Sequence, residues 1–183
     1  GAEYTLTIEA LMWNGVALQS GTSHYFGQKF SKAYDIKFLN RQNEWEYAYQ
    51  TSWGVSTRMI GGLIMVHSDD QGLVLPPKIA PRQVVIVPIG DTEEIKSLCD
   101  KVYADLLKKD ISVFVDNSDR SPGFKFAEHE VNGIPVRVEI GKRDLKKGFK
   151  TLDRRDTSEK INDDKTADIA SEINTLLEKK KKD

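Results

Sequence analysis

Thr51-Ser52-Trp53-Gly54-Val55-Ser56-Thr57-Arg58, running on into Met59-Ile60-Gly61-Gly62-Leu63-Ile64-Met65-Val66-His67, is the stretch around which the chain is organised. Small and hydroxyl residues lead to one arginine, and an apolar run begins directly behind it. Met59, Ile60, Leu63 and Ile64 recur at i, i+1, i+4 and i+5, the spacing of one buried helical face. Ser56 or Thr57 can cap that helix, because a hydroxyl oxygen accepts from the first unpaired backbone N–H groups. Arg58 then falls in the first turn of a buried helix, where the helix dipole favours an anion. A guanidinium held there points to an anionic ligand such as a phosphate, gripped through two N–H donors. The alternative is that Arg58 pairs with Asp69 or Asp70 and staples the helix.

The string TSWGVSTRMIGGLIMVHSDDQGLVLPP, residues 51–77, resembles motif 3 of class II aminoacyl-tRNA synthetases in the version carried by prolyl-tRNA synthetases of the archaeal and eukaryotic type. The resemblance implies that Arg58 grips ATP phosphates and serves catalysis. The loop-like Gln19-Ser20-Gly21-Thr22-Ser23-His24 resembles the proline-site loop of the same family. By that likeness Gln19 and Thr22 face ATP or the adenylate, His24 lines the prolyl pocket, and Trp53, Gly54 and Ser56 complete its wall. A small imino-acid ring suits a tight apolar and aromatic slot with few polar groups. Taken alone, His24 reads as a cap or surface residue and Trp53 as core.

The 183 residues allow one large or two small domains. With 39% hydrophobic and 30% charged residues, a globular protein is expected. No apolar run approaches the ~20 residues of a membrane span. Residues 4–8 are strand-like, so no signal peptide is expected. Cys99 is the only cysteine. That excludes an intrachain disulfide or a thiolate zinc site and fits a reducing, cytoplasmic location. Twenty-seven basic and 28 acidic residues give a net charge of −1, so any RNA contact must come from local patches.

Residues 4–8 predict a strand, Asn14-Gly15 a hairpin turn, and residues 16–20 a returning strand. A polar loop over 21–24 and a helix over 25–34 are expected next. Short strands follow at 37–39 and 45–50, then a buried strand at 73–75. Pro76-Pro77 marks the boundary between domains 1–76 and 77–183. Beyond it the alternation of strands and helices argues for an α/β unit. The continuous apolar run 84–89 predicts a strand covered on both faces. Asp91 or Thr92 caps a helix with a stripe of Ile95, Leu98, Cys99, Val102, Leu106 and Leu107. Residues 112–115 are a strand, and Ser121-Pro122-Gly123 opens a helix that Asn132-Gly133 ends. Strands at 136–140, 148–154 and 159–161 and a helix over 166–180 complete the pattern. The lysines 179–182 read as a solvated helix end.

SPGFKFAEHEVNGIPVRVEIGKRDLKKGFKTLDRRD, residues 121–156, resembles the anticodon-binding domain of class IIa synthetases. The family often has Trp where His129 stands. Position by position, the resemblance makes Glu130, Arg137, Arg143 and Asp144 base-reading candidates and Lys142 a phosphate candidate. A carboxylate accepts from guanine N1–H and N2–H₂, and arginine donates to O6 and N7. Phe124 or Phe126 could stack on a base or be core. Without the likeness, Glu130–Arg137 and Arg143–Asp144 would read as surface ion pairs of small stabilising value.

The fold expected is thus α+β/α/β. The rear part of a class II antiparallel-sheet catalytic core is followed by an α/β anticodon-binding domain with a mixed sheet and about three helices. The function implied is that of a proline–tRNA ligase using ATP, Mg²⁺, proline and tRNA(Pro), homodimeric in its complete form. Motifs 1 and 2 and a zinc-bearing domain are not found in these residues, so the chain alone is expected to lack activity. An alternative is a non-catalytic tRNA-binding or regulatory module derived from a synthetase. A nucleotide-binding α/β domain over 82–180 is disfavoured, because Gly90-Asp91-Thr92 is too short to cradle phosphates.

Overall fold

The computed structural model describes residues 1–142, 145, 150–163 and 169–178. Two compact units divide between Val66 and His67, ahead of the Pro76-Pro77 break. The segment between those points contains a small hairpin built into the second unit.

In the first unit β1 (Tyr4–Leu11) and β2 (Ala17–Gly27) form an antiparallel hairpin, and β5 (Gln50–Val55) pairs with the other side of β2. Gly15 at φ 78 supplies the turn that Asn14-Gly15 signals. The expected loop at 21–24 is instead the middle of β2, and the helix expected from residue 25 is only α1 (Lys29–Ala33). Pairing with a partner on each side holds residues 21–25 extended, a tertiary preference that the polar composition hides. β3 (Lys37–Leu39) and β4 (Trp45–Tyr47) form a separate ribbon. Trp45 is thus in a different sheet from Trp53.

α2 (Arg58–Val66) begins where expected, with Ser56 Oγ accepting from Arg58 N at 3.3 Å. It is not a buried helix. Only Gly62 is buried, packed on Leu18 of β2, while Met59, Ile60, Ile64, Met65 and Val66 remain exposed. A three-stranded sheet covers too little of the stripe to bury it. The sheet also leaves Leu6, Ile8, Trp53 and Val55 exposed on one face, and Trp13 and Trp45 are exposed elsewhere in the unit.

The second unit opens with β6 (Ser68–Asp69) and β7 (Gly72–Leu73); residues 74–75, expected as strand, lie outside it. A five-stranded mixed sheet follows in the order β12-β11-β10-β8-β9. β8 (Val84–Ile89) is parallel to both β9 (Val113–Val115) and β10 (Val136–Gly141). β11 (Lys150–Arg154) and β12 (Lys160–Asp163) add on antiparallel. Val84 to Val87 are wholly buried, as a strand covered on both faces requires. α3 (Glu93–Leu107) and α5 (Ile169–Glu178) share one core with the sheet through Ile95, Cys99, Val102, Leu106, Ile169, Ile173 and Leu176. Leu107, expected in that stripe, is half exposed. α4 (Pro122–Val131) supplies Phe126 to the opposite face, beside Val85, Val87 and Ile134. Ser121 Oγ caps it through Phe124 N. The mixed sheet and these three helices match the expected α/β domain.

Candidate functional site

Two clusters of polar residues stand out, one in each unit. In the first, alternation along β2 and β5 decides what meets. Thr22 pairs with Gly54 and His24 with Ser52, on one face of the sheet; Ser23 pairs with Trp53, on the other. His24 and Trp53 therefore do not line one wall, and the grouping of Trp53 with His24 in a single pocket does not hold in this sheet. Gln19 would fall on the face away from Thr22 were it not for a bulge. Ile8 pairs with Gly21 and Glu9 with Gln19, so Ser20 is the extra residue. The bulge returns Gln19 to the face of Thr22, a re-aiming typical of such irregularities. Arg58 Nη1 then donates to Gln19 Oε1 at 3.2 Å and to the Gln19 carbonyl oxygen at 3.3 Å. Arg58 is exposed and pairs with no acidic residue among those described. The expected burial of this cation is thus corrected, because the helix behind it is itself open. His24 Nδ1 lies 2.8 Å from Thr5 Oγ1, and its ring stacks near Phe26.

In the second unit a cavity of about 320 Å³ opens between α4, β10, β11, the turn after β11 and the β6–β7 hairpin. At its centre lies Arg137 of β10, buried. Arg137 Nε donates to Glu139 at 3.1 Å, Nη1 to Glu130 at 2.9 Å, and Nη2 to Asp153 at 2.6 Å. The Phe126 ring lies under the guanidinium, 4.2 Å from its carbon, which suits a planar cation. Lys160 reaches both Glu139 and Asp153 at 3.4 Å and remains half exposed. Three carboxylates thus surround two cations. Glu130, with 38% of its side chain exposed, is the carboxylate most open to a ligand. Its open oxygen can accept from N–H donors of a ligand, while Glu139 and Asp153 are taken up by Arg137 and Lys160.

The structure brings Glu130 and Arg137 together as the sequence suggests. Arg143 and Asp144 lie outside the described residues, and Lys142 is exposed just past β10. Asp153 and Lys160 were not singled out from sequence. The β10–β11 register sets Arg137 opposite Asp153, and the β11–β12 register sets Asp153 opposite Lys160.

The hairpin wall is clamped. Arg155, buried, donates Nη1 and Nη2 to the two Asp69 oxygens at 2.8 and 2.6 Å and Nε to the Glu130 carbonyl oxygen at 2.9 Å. These bonds hold the Asp69 carboxyl well below the usual carboxylate range. A Cβ on Gly72 would lie 2.5 Å from Val131 Cα, and one on Gly133 2.6 Å from Leu73 Cβ. The two glycines let the hairpin and the end of α4 touch backbone to backbone.

Behind α4, Asp116 Oδ2 lies 2.8 Å from His129 Nε2, and Lys125 Nζ donates to the Asp116 carbonyl oxygen at 2.8 Å. All three side chains are buried. Burial alone would raise the Asp116 carboxyl. Ser118, His129 and Lys125 outweigh it and hold the group lower. His129 Nδ1 is buried with no described partner, and its ring meets Phe114 edge-on. No group of three His, Cys, Asp or Glu able to hold a metal occurs among the described residues, nor does a helix long and apolar enough to cross a membrane.

Residues 83–179 match the anticodon binding domain family. The chain is 58% identical over 165 residues to a proline–tRNA ligase of Cytophaga hutchinsonii, covering 87% of this chain and 34% of that protein. It is 57% identical over 161 residues to proline–tRNA ligase 2 of Bacillus cereus, again 87% and 34%. Against a proline–tRNA ligase of Chlorobium chlorochromatii it is 53% identical over 180 residues, 97% of this chain and 37% of that one. The chain therefore spans about a third of the length of these relatives. With the family match running from β8 to the last helix, across the sheet that carries Arg137 and Asp153, the chain belongs to the anticodon binding domain family.

Proposed function

We infer that this chain supplies the anticodon-reading part, and one phosphate-gripping arginine, of a proline–tRNA ligase working in the cytoplasm. The complete reaction joins proline to ATP as prolyl-adenylate and then esterifies tRNA(Pro). The observation that carries this reading is the Glu130–Arg137–Asp153 cavity. Glu130 accepts from the N1–H and N2–H₂ of an unstacked guanine. Arg137 orients Glu130, Glu139 and Asp153 and can spare little of its fork for the base. Single-stranded loops are read in this way, by exposed base edges. Phe126, held against Arg137, limits the depth of the site.

In the first unit Gln19, Thr22 and Arg58 offer donors and acceptors to ATP, with Arg58 neutralising the outer phosphates. His24, Gly54 and Ser56 stand by for proline, with Trp53 turned to the other face. Mg²⁺ has no protein cage among the described residues and would bind largely through the substrate phosphates, whose charge it would help neutralise. Homodimerisation belongs to the same reading of the complete enzyme.

The test is binding of the 183-residue chain to anticodon stem-loops at one fixed salt concentration, since phosphate contacts make affinity salt-dependent. A loop with the proline anticodon should bind more tightly than the same loop with both guanines replaced, and Glu130→Gln should remove most of the difference. Equal affinity for the two loops would overturn the reading.

A further inference from the structure

Besides the N1–H and N2–H₂ that suit Glu130, a guanine presents an acceptor, O6, that needs a donor. Arg137 has its Nε and both Nη atoms committed to carboxylates. Arg154 is bound to Asp156 through Nε and Nη2, and Arg155 to Asp69 and the Glu130 carbonyl oxygen. Lys160 is shared between Glu139 and Asp153. Two further donors line the cavity from opposite walls: the Ser158 hydroxyl on the turn after β11, and the side-chain amide of Gln71 at the tip of the β6–β7 hairpin, the wall that Arg155 ties to Glu130. The backbone N–H of Gln71 is taken by Asp69 Oδ1 at 2.9 Å, and no described residue bonds its side chain.

Gln71 lies outside residues 83–179, the span matched by the family. It is nevertheless fixed to the cavity. Asp69, which holds its backbone, is gripped from both oxygens by buried Arg155. Arg155 in turn holds the carbonyl of Glu130, the base-reading candidate. The Gly72 and Gly133 contacts seat the hairpin against the end of α4, and Leu75 N donates to the Gly133 carbonyl oxygen. Ser158, on the opposing turn, lines the cavity with a left-handed backbone at φ 53. For a residue other than glycine, asparagine or aspartate this conformation is uncommon outside ligand sites and tight turns.

We propose that Gln71 is a specificity residue of this cavity, donating its amide N–H to O6 of the guanine whose N1–H and N2–H₂ meet Glu130, and that Asp69 and Arg155 are its positioning residues. The proposal rests on the guanine-reading function given above. It makes the hairpin part of the reader: donor from Gln71, acceptor from Glu130, one base edge between them.

The experiment uses the 183-residue chain and three stem-loops, carrying the proline anticodon, the same with inosine at the read guanine, and the same with 2-aminopurine there. Inosine keeps O6 and lacks the N2 amine; 2-aminopurine lacks O6. Gln71→Ala should weaken binding of the guanine and inosine loops by about three- to tenfold, the size of one net hydrogen bond. It should leave the 2-aminopurine loop unchanged. Gln71 is exposed, so the variant keeps its fold, checked by circular dichroism. Asp69→Asn should lose the same factor, and the double variant should lose no more than either single one. A merely structural role for Asp69 would weaken all three loops alike. Normal guanine preference in Gln71→Ala, with the preference lost in Glu130→Gln, overturns the role of Gln71 and leaves the cavity's function standing. No guanine preference in the unaltered chain overturns both.

Discussion

Asp116 and His129, one at the end of a strand and the other on the helix that frames the cavity, meet at 2.8 Å with Lys125 buried beside them. A buried cation left without its counter-charge is strongly destabilising, by about 3–5 kcal/mol. Asp116→Ala should therefore lower stability by about 3 kcal/mol at neutral pH. The Asp116 carboxyl titrates lower in the folded chain than in the unfolded one. Its contribution is thus complete above the ordinary carboxylate value near 4 and fades as pH falls through the folded value. Urea unfolding at pH 7 and pH 3, followed by circular dichroism, should show a wide gap between variant and parent that narrows in acid. A gap that stays constant with pH would mean the carboxylate's charge is irrelevant there.

The Asp69–Arg155 pair answers to pH in the same direction, since the Arg155 hydrogen bonds depress the Asp69 carboxyl. Because 48% of the Asp69 side chain is exposed, solvent screening discounts the effect to about 1 kcal/mol. Its mark should be local. Hydrogen exchange at Val74 N and Leu75 N, which bond the His67 and Gly133 carbonyl oxygens, should quicken in Asp69→Asn at pH 7. Amides in β8 should not respond.

Arg58 bonds Gln19 rather than a carboxylate, so its positive charge remains available to phosphates. In a complete ligase, Arg58→Ala should cost roughly 2–4 kcal/mol of transition-state stabilisation in proline-dependent pyrophosphate exchange. The 183-residue chain by itself should show no exchange. Unchanged kinetics in the variant would remove Arg58 from phosphate binding.

Cys99 is buried on the inner stripe of α3, and burial, aided by Asp100, pushes its thiol up to about 11. At pH 8 the native thiol should react with a disulfide reagent at least 100-fold more slowly, on the order of the ratio implied by two lost thiolate decades plus occlusion, than the same thiol in urea. Reaction at the unfolded rate would show the helix lifting from the sheet.

The second unit was largely legible from the sequence because its elements obey single-period patterns. Val84 to Ile89 is apolar without a break, and α3 carries one stripe that begins after Thr92, which holds the N-cap position although its hydroxyl makes no cap bond. Ser121-Pro122 and Asn132-Gly133 bracket α4 by local chemistry alone. The first unit was less legible. Residues 21–27 carry small and polar side chains that suit a loop, and only pairing with Tyr4–Leu11 and Gln50–Val55 makes them a strand. The site residues divide similarly. Glu130 and Arg137 lie seven apart in sequence and are brought together by a turn the sequence announces. Asp153, Lys160 and Gln71 reach the cavity through strand register and a long-range ion pair, which no local pattern encodes.

All three tryptophans, Trp13, Trp45 and Trp53, belong to the first unit, and all face solvent. Indole emission is therefore a lamp hung in one room of a two-room house. It will shift when the open face of the first unit's sheet becomes covered, and the second unit has no indole of its own. RNA binding to the second unit is therefore followed through labelled RNA or calorimetry, which do not depend on an indole being there.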